Sequence, residues 1–369
     1  MYRCPSCKKE YPLEEKIFRC RCGSYLLVES PGVFPLAALE TRDLSIWRYR
    51  EAYGLPPGTE AVSLGEGTTP LVERTMDGER VRFKLDCLLP SGSFKDRGAS
   101  VLVSLARRIG VRELVEDSSG NAGAAMAAYS TAAGIRCRIF APDSTPPGKL
   151  VQARLCGAQV VRVPGPRQAA SDAVLAAAEK SYYASHLWNP FFIQGHMSAA
   201  FELWEQLSRS LPPAVVVPLG SGGYLEGIHR GFRLLVSAGY ARALPKIYGV
   251  QAAVCDPLHR AFQAGLADFV PVEARAGVAE GIAVSRPPRA REVLACLRES
   301  GGRSLSVSEE EIIAAHRRLL ASGLYVEPTS ATALAGLARL SREEREGAVI
   351  FLSGHGLKAS EKLAALYPA

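Results

Sequence analysis

The chain has 369 residues, 47% hydrophobic and 22% charged, with a formal net charge of +7. That is enough apolar material for two lobes and a small module, and it excludes wholesale disorder. No apolar run is long enough to span a bilayer, and the arginines alternate with glutamates and form no basic block, so neither membrane nor nucleic acid is an expected partner.

The chain opens on MYRCPSCKKEY, which lacks the apolar core of a signal peptide, and the cytoplasm is the expected compartment. Cys4, Cys7, Cys20 and Cys22 crowd this opening as two knuckles around a polar hairpin, a density of thiols that suits a structural Zn²⁺. The second knuckle is C-x-C where a ribbon normally has C-x-x-C, so a hairpin without metal is the alternative. The other cysteines, Cys87, Cys137, Cys156, Cys255 and Cys296, are dispersed among apolar neighbours and read as small core residues. Residues 31–80 are punctuated by Pro and Gly and read as a lead-in that wraps the main body.

From Val81 a rhythm sets in. VRFKLD reads as a strand before a helix over 96–109, ELVEDS as a strand before a helix over 121–133, and CRIFAP and AQVVRVP as strands with a helix over 168–181 after the second. AVVVPLG, KIYGVQA and GAVIFLSG continue the series. Short β-branched runs alternating with long helices predict an α/β fold, with parallel-rich twisted sheets flanked by helices.

In such sheets ligands gather at the carboxyl ends of strands, and four glycine-bearing segments fall there. Gly220-Ser221-Gly222-Gly223 ends a buried strand and opens a helix, which suits a phosphate as well as it suits a plain tight turn; neither a dinucleotide nor a P-loop pattern is present. Asp117-Ser118-Ser119-Gly120-Asn121 offers hydroxyls and amides at a helix start, fit for a carboxylate or for simple capping. FLSGHGLK delivers Ser353 at a late strand end, where His355 reads as a positioning residue more readily than as a general base. SGSFKDRG sets Lys95 at a helix start, where the macrodipole disfavours positive charge and so favours the neutral, nucleophilic amine. A nucleophilic lysine, a phosphate cradle, an anion-binding turn and a strand-end hydroxyl together match the needs of pyridoxal phosphate.

At this point the sequence resembles the fold-type II pyridoxal-phosphate enzymes, and most closely the threonine synthase family. The motifs GTTPL, SGSFKDRG, SSGN, the glycine loop, EPTSAT and SGHGLK occur in that order, from about Gly67 to Lys358. The resemblance implies a small Cys4 module over 1–30, a large cofactor-binding domain over 31–98 plus 192–369, and a smaller movable domain over 99–191. It implies that Lys95 is the Schiff-base lysine and that Phe94 lines the ring. Asn121 would bond the phenolic oxygen, and Gly220, Ser221, Gly222 and Gly223 the phosphate. Ser353 would meet the pyridine nitrogen, while Ser118, Ser119 and Gly120 would grip the substrate carboxylate. A homodimer acting on a small amino acid is the implied assembly.

Two positions depart from the family pattern. Ala122 stands where a threonine follows the loop asparagine, and Asn189-Pro190-Phe191-Phe192 puts Phe192 where a guanidinium would clamp a substrate phosphate. His186 or His196 could rebuild that basic shell. The expected activity is a threonine-synthase-like lyase, eliminating or replacing at the β or γ carbon, as from phosphohomoserine to threonine. AEGIAVSRPP resembles a stretch of the serine/threonine dehydratases, so dehydration with release of ammonia is the alternative, with β-replacement by another nucleophile or an inactive cofactor-binding relative behind it.

Overall fold

The computed structural model describes residues 1–29, 32–165 and 167–368, so the expected module boundary at residues 30 and 31 lies outside the described residues. Its strands are β1 (Tyr2–Arg3), β2 (Glu10–Tyr11), β3 (Leu27–Val28), β4 (Leu71–Met76), β5 (Glu79–Lys84), β6 (Glu113–Glu116), β7 (Arg136–Pro142), β8 (Gln159–Val163) and β9 (Tyr182–Tyr183), then β10 (Ala214–Pro218), β11 (Lys246–Ala252), β12 (Arg303–Val307) and β13 (Val349–Phe351). Two compact units form. Met1–Thr68 with Lys95–His196 make the first, and Thr69–Phe94 with Met197–Ala369 make the second.

In the first unit β8-β7-β6-β9 form a parallel four-stranded sheet. Val115, Phe140, Val174 and Tyr183 fill one of its cores, with Phe18 of the ribbon packed against them. The lead-in belongs here because Glu66 is a buried knot. Fully enclosed, its carboxylate accepts from Trp47 Nε1 at 3.0 Å, Ser100 Oγ at 2.8 Å, the Tyr129 hydroxyl at 2.9 Å and the Leu64 amide at 2.7 Å. Four donors replace the water that an isolated buried carboxylate would need.

The second unit holds a six-stranded sheet in the order β12-β11-β10-β13-β5-β4. All neighbours run parallel except β4 and β5, a hairpin closed by Asp77 at φ 51° and Gly78 at φ 80°, the left-handed pair that a tight Asp-Gly turn requires. β10 and, past exposed Lys246, β11 are enclosed on both faces, which is why AVVVP and IYGV read as apolar runs, whereas edge strand β4 carries Glu73 and Arg74 outward and invites no further pairing. Below the hairpin, Lys84 and Glu202 pair at 2.7 Å with both side chains sealed, and Thr69 O and Gln206 Oε1 take the other ammonium protons at 2.7 and 2.8 Å. No helix among the described residues is long and apolar enough to cross a membrane.

The helices expected over 96–109 and 121–133 lie at Lys95–Arg108 and Asn121–Ala132; the one expected over 168–181 ends earlier, at Arg167–Ala177. The opening ribbon is a three-stranded sheet, β2-β1-β3.

Candidate functional site

In the second unit three of the four glycine segments meet. The turn before Lys95 is stitched to FLSGHGLK: Phe94 N–H donates to Ser353 O at 2.9 Å, His355 N–H donates to Gly92 O at 3.0 Å, and Lys358 Nζ donates to Ser91 O at 2.9 Å. Gly92 holds φ at +84°, and a Cβ there would stand 3.1 Å from the Lys358 stem, so any other residue would be strained in this turn. The Phe94 ring stacks on Tyr224 at 4.1 Å, and Tyr224 follows the Gly220–Gly223 loop directly. Tyr224 in turn donates its hydroxyl to buried Asp86.

The loop after β10 is shaped by its glycines. A Cβ at Gly222, where φ is +89°, would fall 2.2 Å from Val293, and one at Gly220 would fall 3.0 Å from Ile282 in the Glu280–Ile282 turn. The helix Gly223–Ser237 begins with no side-chain cap, so its first amides point at the space the glycines keep clear. Glu226 in its first turn is fully buried and meets Arg289 through two bonds of 2.6 and 2.7 Å, with Arg230 at 2.9 Å. Burial pushes the Glu226 carboxyl up, but the two guanidinium charges outweigh it and hold it below the usual carboxylate range.

Ser353 is almost fully enclosed, and its hydroxyl lies 3.1 Å from that of Ser330. Ser330 also accepts the amides of Ser353 and Gly354, both at 2.9 Å. Sequence reasoning gave Ser330 no role; EPTSAT, which contains it, was the available signal. Tyr224 and Lys358 were missed likewise. His355 uses Nδ1 to accept the Leu357 amide at 3.2 Å, a capping contact, and burial with the Lys358 charge lowers its pKa.

Lys95 and the fourth segment lie in the first unit. Lys95 is the first residue of its helix, and its Nζ stands 5.7 Å over the Phe192 ring. Ser118 to Asn121 follow β6; the helix cap is Gly120, whose amide bonds Ser118 Oγ at 3.3 Å, and no side chain caps the helix. The turn presses so closely that a Cβ on Gly123 would stand 1.9 Å from Ser118 O. Ala122 and Phe192 are both buried, so neither departure from the family pattern leaves a polar group at its position.

The model of the pyridoxal-phosphate dependent enzymes matches residues 62–354. The chain belongs to the pyridoxal-phosphate dependent enzyme family. Within it the chain belongs with the threonine synthases. It is 35% identical to the threonine synthase of Methanocaldococcus jannaschii over 97% of this chain and 93% of that one, and 34% identical to that of Methanosarcina acetivorans over 96% and 91%. Among solved structures, a threonine deaminase from T.th. superposes with a TM-score of 0.67 at 29% identity, covering 78% of this chain and 92% of that one. The processed form of threonine deaminase isoform 2 from Solanum lycopersicum superposes with a TM-score of 0.70 at 22% identity, over 95% of each chain, and so shares the fold. The protein is therefore a pyridoxal-phosphate-dependent lyase of the α/β fold expected from its sequence.

Its residues fit the cofactor. In the second unit, a loop in which side chains would collide keeps backbone amides bare for a phosphate, and the enclosed Ser353 provides a hydroxyl. Ser93, two residues before Lys95, has a fully buried hydroxyl with no protein partner, as expected where a ligand completes the lining.

Elsewhere in the first unit, Cys4, Cys7, Cys20 and Cys22 hold their sulfurs within 4.8 Å of one another. Turns return the chain at each knuckle, with Lys8 N–H donating to Cys4 O at 3.0 Å and Gly23 N–H donating to Cys20 O at 2.8 Å, so the short C-x-C spacing still closes the set. Burial pushes the Cys20 thiol up, but bonds from the Tyr11 hydroxyl and the Cys22 backbone outweigh it and bring it to about 6. We infer that these four residues hold a structural Zn²⁺. Purified protein should carry one zinc per chain, and Cys20→Ser should lose it and lower the melting temperature while the cofactor absorbance stays in place. A metal-free wild type of unchanged stability on adding zinc would refute the assignment.

Proposed function

We propose that the enzyme converts a phosphorylated amino acid of the O-phosphohomoserine type to threonine and inorganic phosphate. The observation that carries this reading is the fastening of the SGSF turn to Ser353 and to Tyr224 beside the glycine loop, which fixes the residue from which Lys95 extends. When bound, pyridoxal phosphate supplies an electron sink for the carbanion at the substrate's Cα.

The chain's residues do the rest. Lys95 would hold the cofactor aldehyde and carry the Cα proton. Gly220, Ser221, Gly222 and Gly223 bind the cofactor phosphate through their amides, Phe94 lines the ring, and Asn121 bonds its phenolic oxygen. Ser353, whose hydroxyl lies 3.1 Å from that of Ser330, would offer the pyridine nitrogen a neutral hydroxyl that does not enforce protonation, a tuning suited to elimination and replacement. Ser118, Ser119 and Gly120 receive the substrate carboxylate. Residues 99–191 act as the smaller, movable domain that shuts water out, and the enzyme works as a cytoplasmic homodimer.

A second reading, dehydration of serine or threonine, is favoured by one observation: the AEGIAV segment lies directly on the glycine loop, with Ile282 Cα 3.0 Å from the Cβ position of Gly220. One assay decides. Holoenzyme given O-phosphohomoserine should release phosphate and threonine in equal amounts; ammonia from unphosphorylated threonine, with no phosphate release, would replace the first reading with the second.

A further inference from the structure

In the second unit, Ser353 and Ser330 are bonded so that one hydroxyl proton is left over. Ser353 lies two residues past β13, and Ser330 stands in the first turn of the helix Pro328–Leu337. Both are sealed from bulk water, at 1% and 0% exposure. A serine oxygen has two lone pairs and one proton. On Ser330 both lone pairs are occupied, by the amides of Ser353 and Gly354 at 2.9 Å each. Its proton has two acceptors within reach, Ser353 Oγ at 3.1 Å and Gly354 O at 3.2 Å. Whichever it takes, Ser330 has no lone pair left to accept from Ser353. The Ser353 hydroxyl has no second partner among the described residues, so its own proton lacks an acceptor in the protein. The backbone is pinned in this arrangement. Phe94 N–H donates to Ser353 O at 2.9 Å, Glu327 N–H donates to Gly354 O at 3.0 Å, and a Cβ at Gly354 would fall 2.2 Å from Glu327 Oε1.

We propose that Ser330 is a positioning residue that makes the Ser353 hydroxyl a one-way donor, and that it thereby holds the pyridine nitrogen of the bound cofactor without a proton. The inference rests on the proposed function, in which Ser353 meets that nitrogen, and deepens it. A lone serine hydroxyl donates to a bare nitrogen or accepts from a protonated one with equal ease. Here the neighbour decides. With Ser330 filled by two amides, a protonated ring nitrogen would leave the Ser353 proton buried and unmet, which is costly, whereas a bare nitrogen takes it.

The test uses holoenzyme carrying pyridoxal phosphate isotopically labelled at its ring nitrogen, read by NMR across the pH range in which the protein stays folded. In the wild type the nitrogen signal should sit at its unprotonated position and should not titrate. Ser330→Ala frees Gly354 O and the space towards it, so the Ser353 hydroxyl can turn its proton there and offer a lone pair. The signal should then move towards the protonated position and titrate with pH. A purely structural role for Ser330 would lower the melting temperature and leave the nitrogen signal in place. Ser330→Cys, close in size and weaker as a hydrogen-bond partner, should give a smaller shift in the same direction, and it serves alone if the alanine variant does not fold. A protonated nitrogen in the wild type, or a signal unmoved in a folded Ser330 variant, overturns the proposal. Ser353→Ala separates that failure from failure of the reading beneath it. A signal that responds to neither serine means that Ser353 does not meet the nitrogen at all, whereas a response to Ser353→Ala alone removes only the role of Ser330.

Discussion

Lys95→Ala should lose at least about 10³-fold in kcat, because one amine serves both as the attachment point of the cofactor and as the acid–base group at Cα. The loss should be chemical and not structural. Lys95 is the first residue of its helix and half-buried, and the fastening of the preceding turn runs through the backbones of Gly92 and Phe94 and through Lys358, all of which the substitution leaves alone. Circular dichroism and melting temperature should therefore match the wild type. Lys358→Ala is the control, since its amine is spent on Ser91 O: it should loosen the turn and lower activity far less. Equal losses in both variants would mean that the chemistry is not assigned to Lys95.

Arg289→Met should destabilise the protein by about 3–5 kcal/mol, read as a shift of the urea midpoint, because it strips the two-bond partner from a carboxylate with no exposure. The damage lies in the first turn of the helix that opens at Gly223, so cofactor affinity should fall with stability. The pH dependence has a definite sign. Glu226 is held below the usual carboxylate range, so its contribution is present above the pKa of an unfolded glutamate and is lost as pH falls through the depressed folded value. The gap between wild type and variant should thus be largest near neutrality and shrink in acid below that range. A loss under about 1 kcal/mol would show that Arg230 alone, 2.9 Å from the same carboxylate, sustains Glu226.

The parallel strands were legible because burial on both faces writes itself as β-branched runs: AVVVP, KIYGVQA and VIF stand where they were expected. β4 and β12 were not, because LVERTM and RSLSV alternate with charged and hydroxyl residues at the sheet's edges and resemble loop. The two residues of β9 are too few to show a period. The placement of Lys95 at a helix start, of Ser353 after a strand and of the glycine loop between strand and helix was legible from the motifs. The Ser330–Ser353 contact was not, since the two residues lie 23 positions apart in separate motifs and only the fold brings them together. The knot at Glu66 was equally hidden, its donors drawn from Trp47, Ser100 and Tyr129.

Borohydride reduction of the native holoenzyme, followed by peptide mapping by mass spectrometry, tests the central claim most directly. The reduced cofactor should be found on one lysine only, in the peptide containing Ser93-Phe94-Lys95-Asp96, at Lys95. Label on Lys84, on Lys358 or on no lysine would contradict the account.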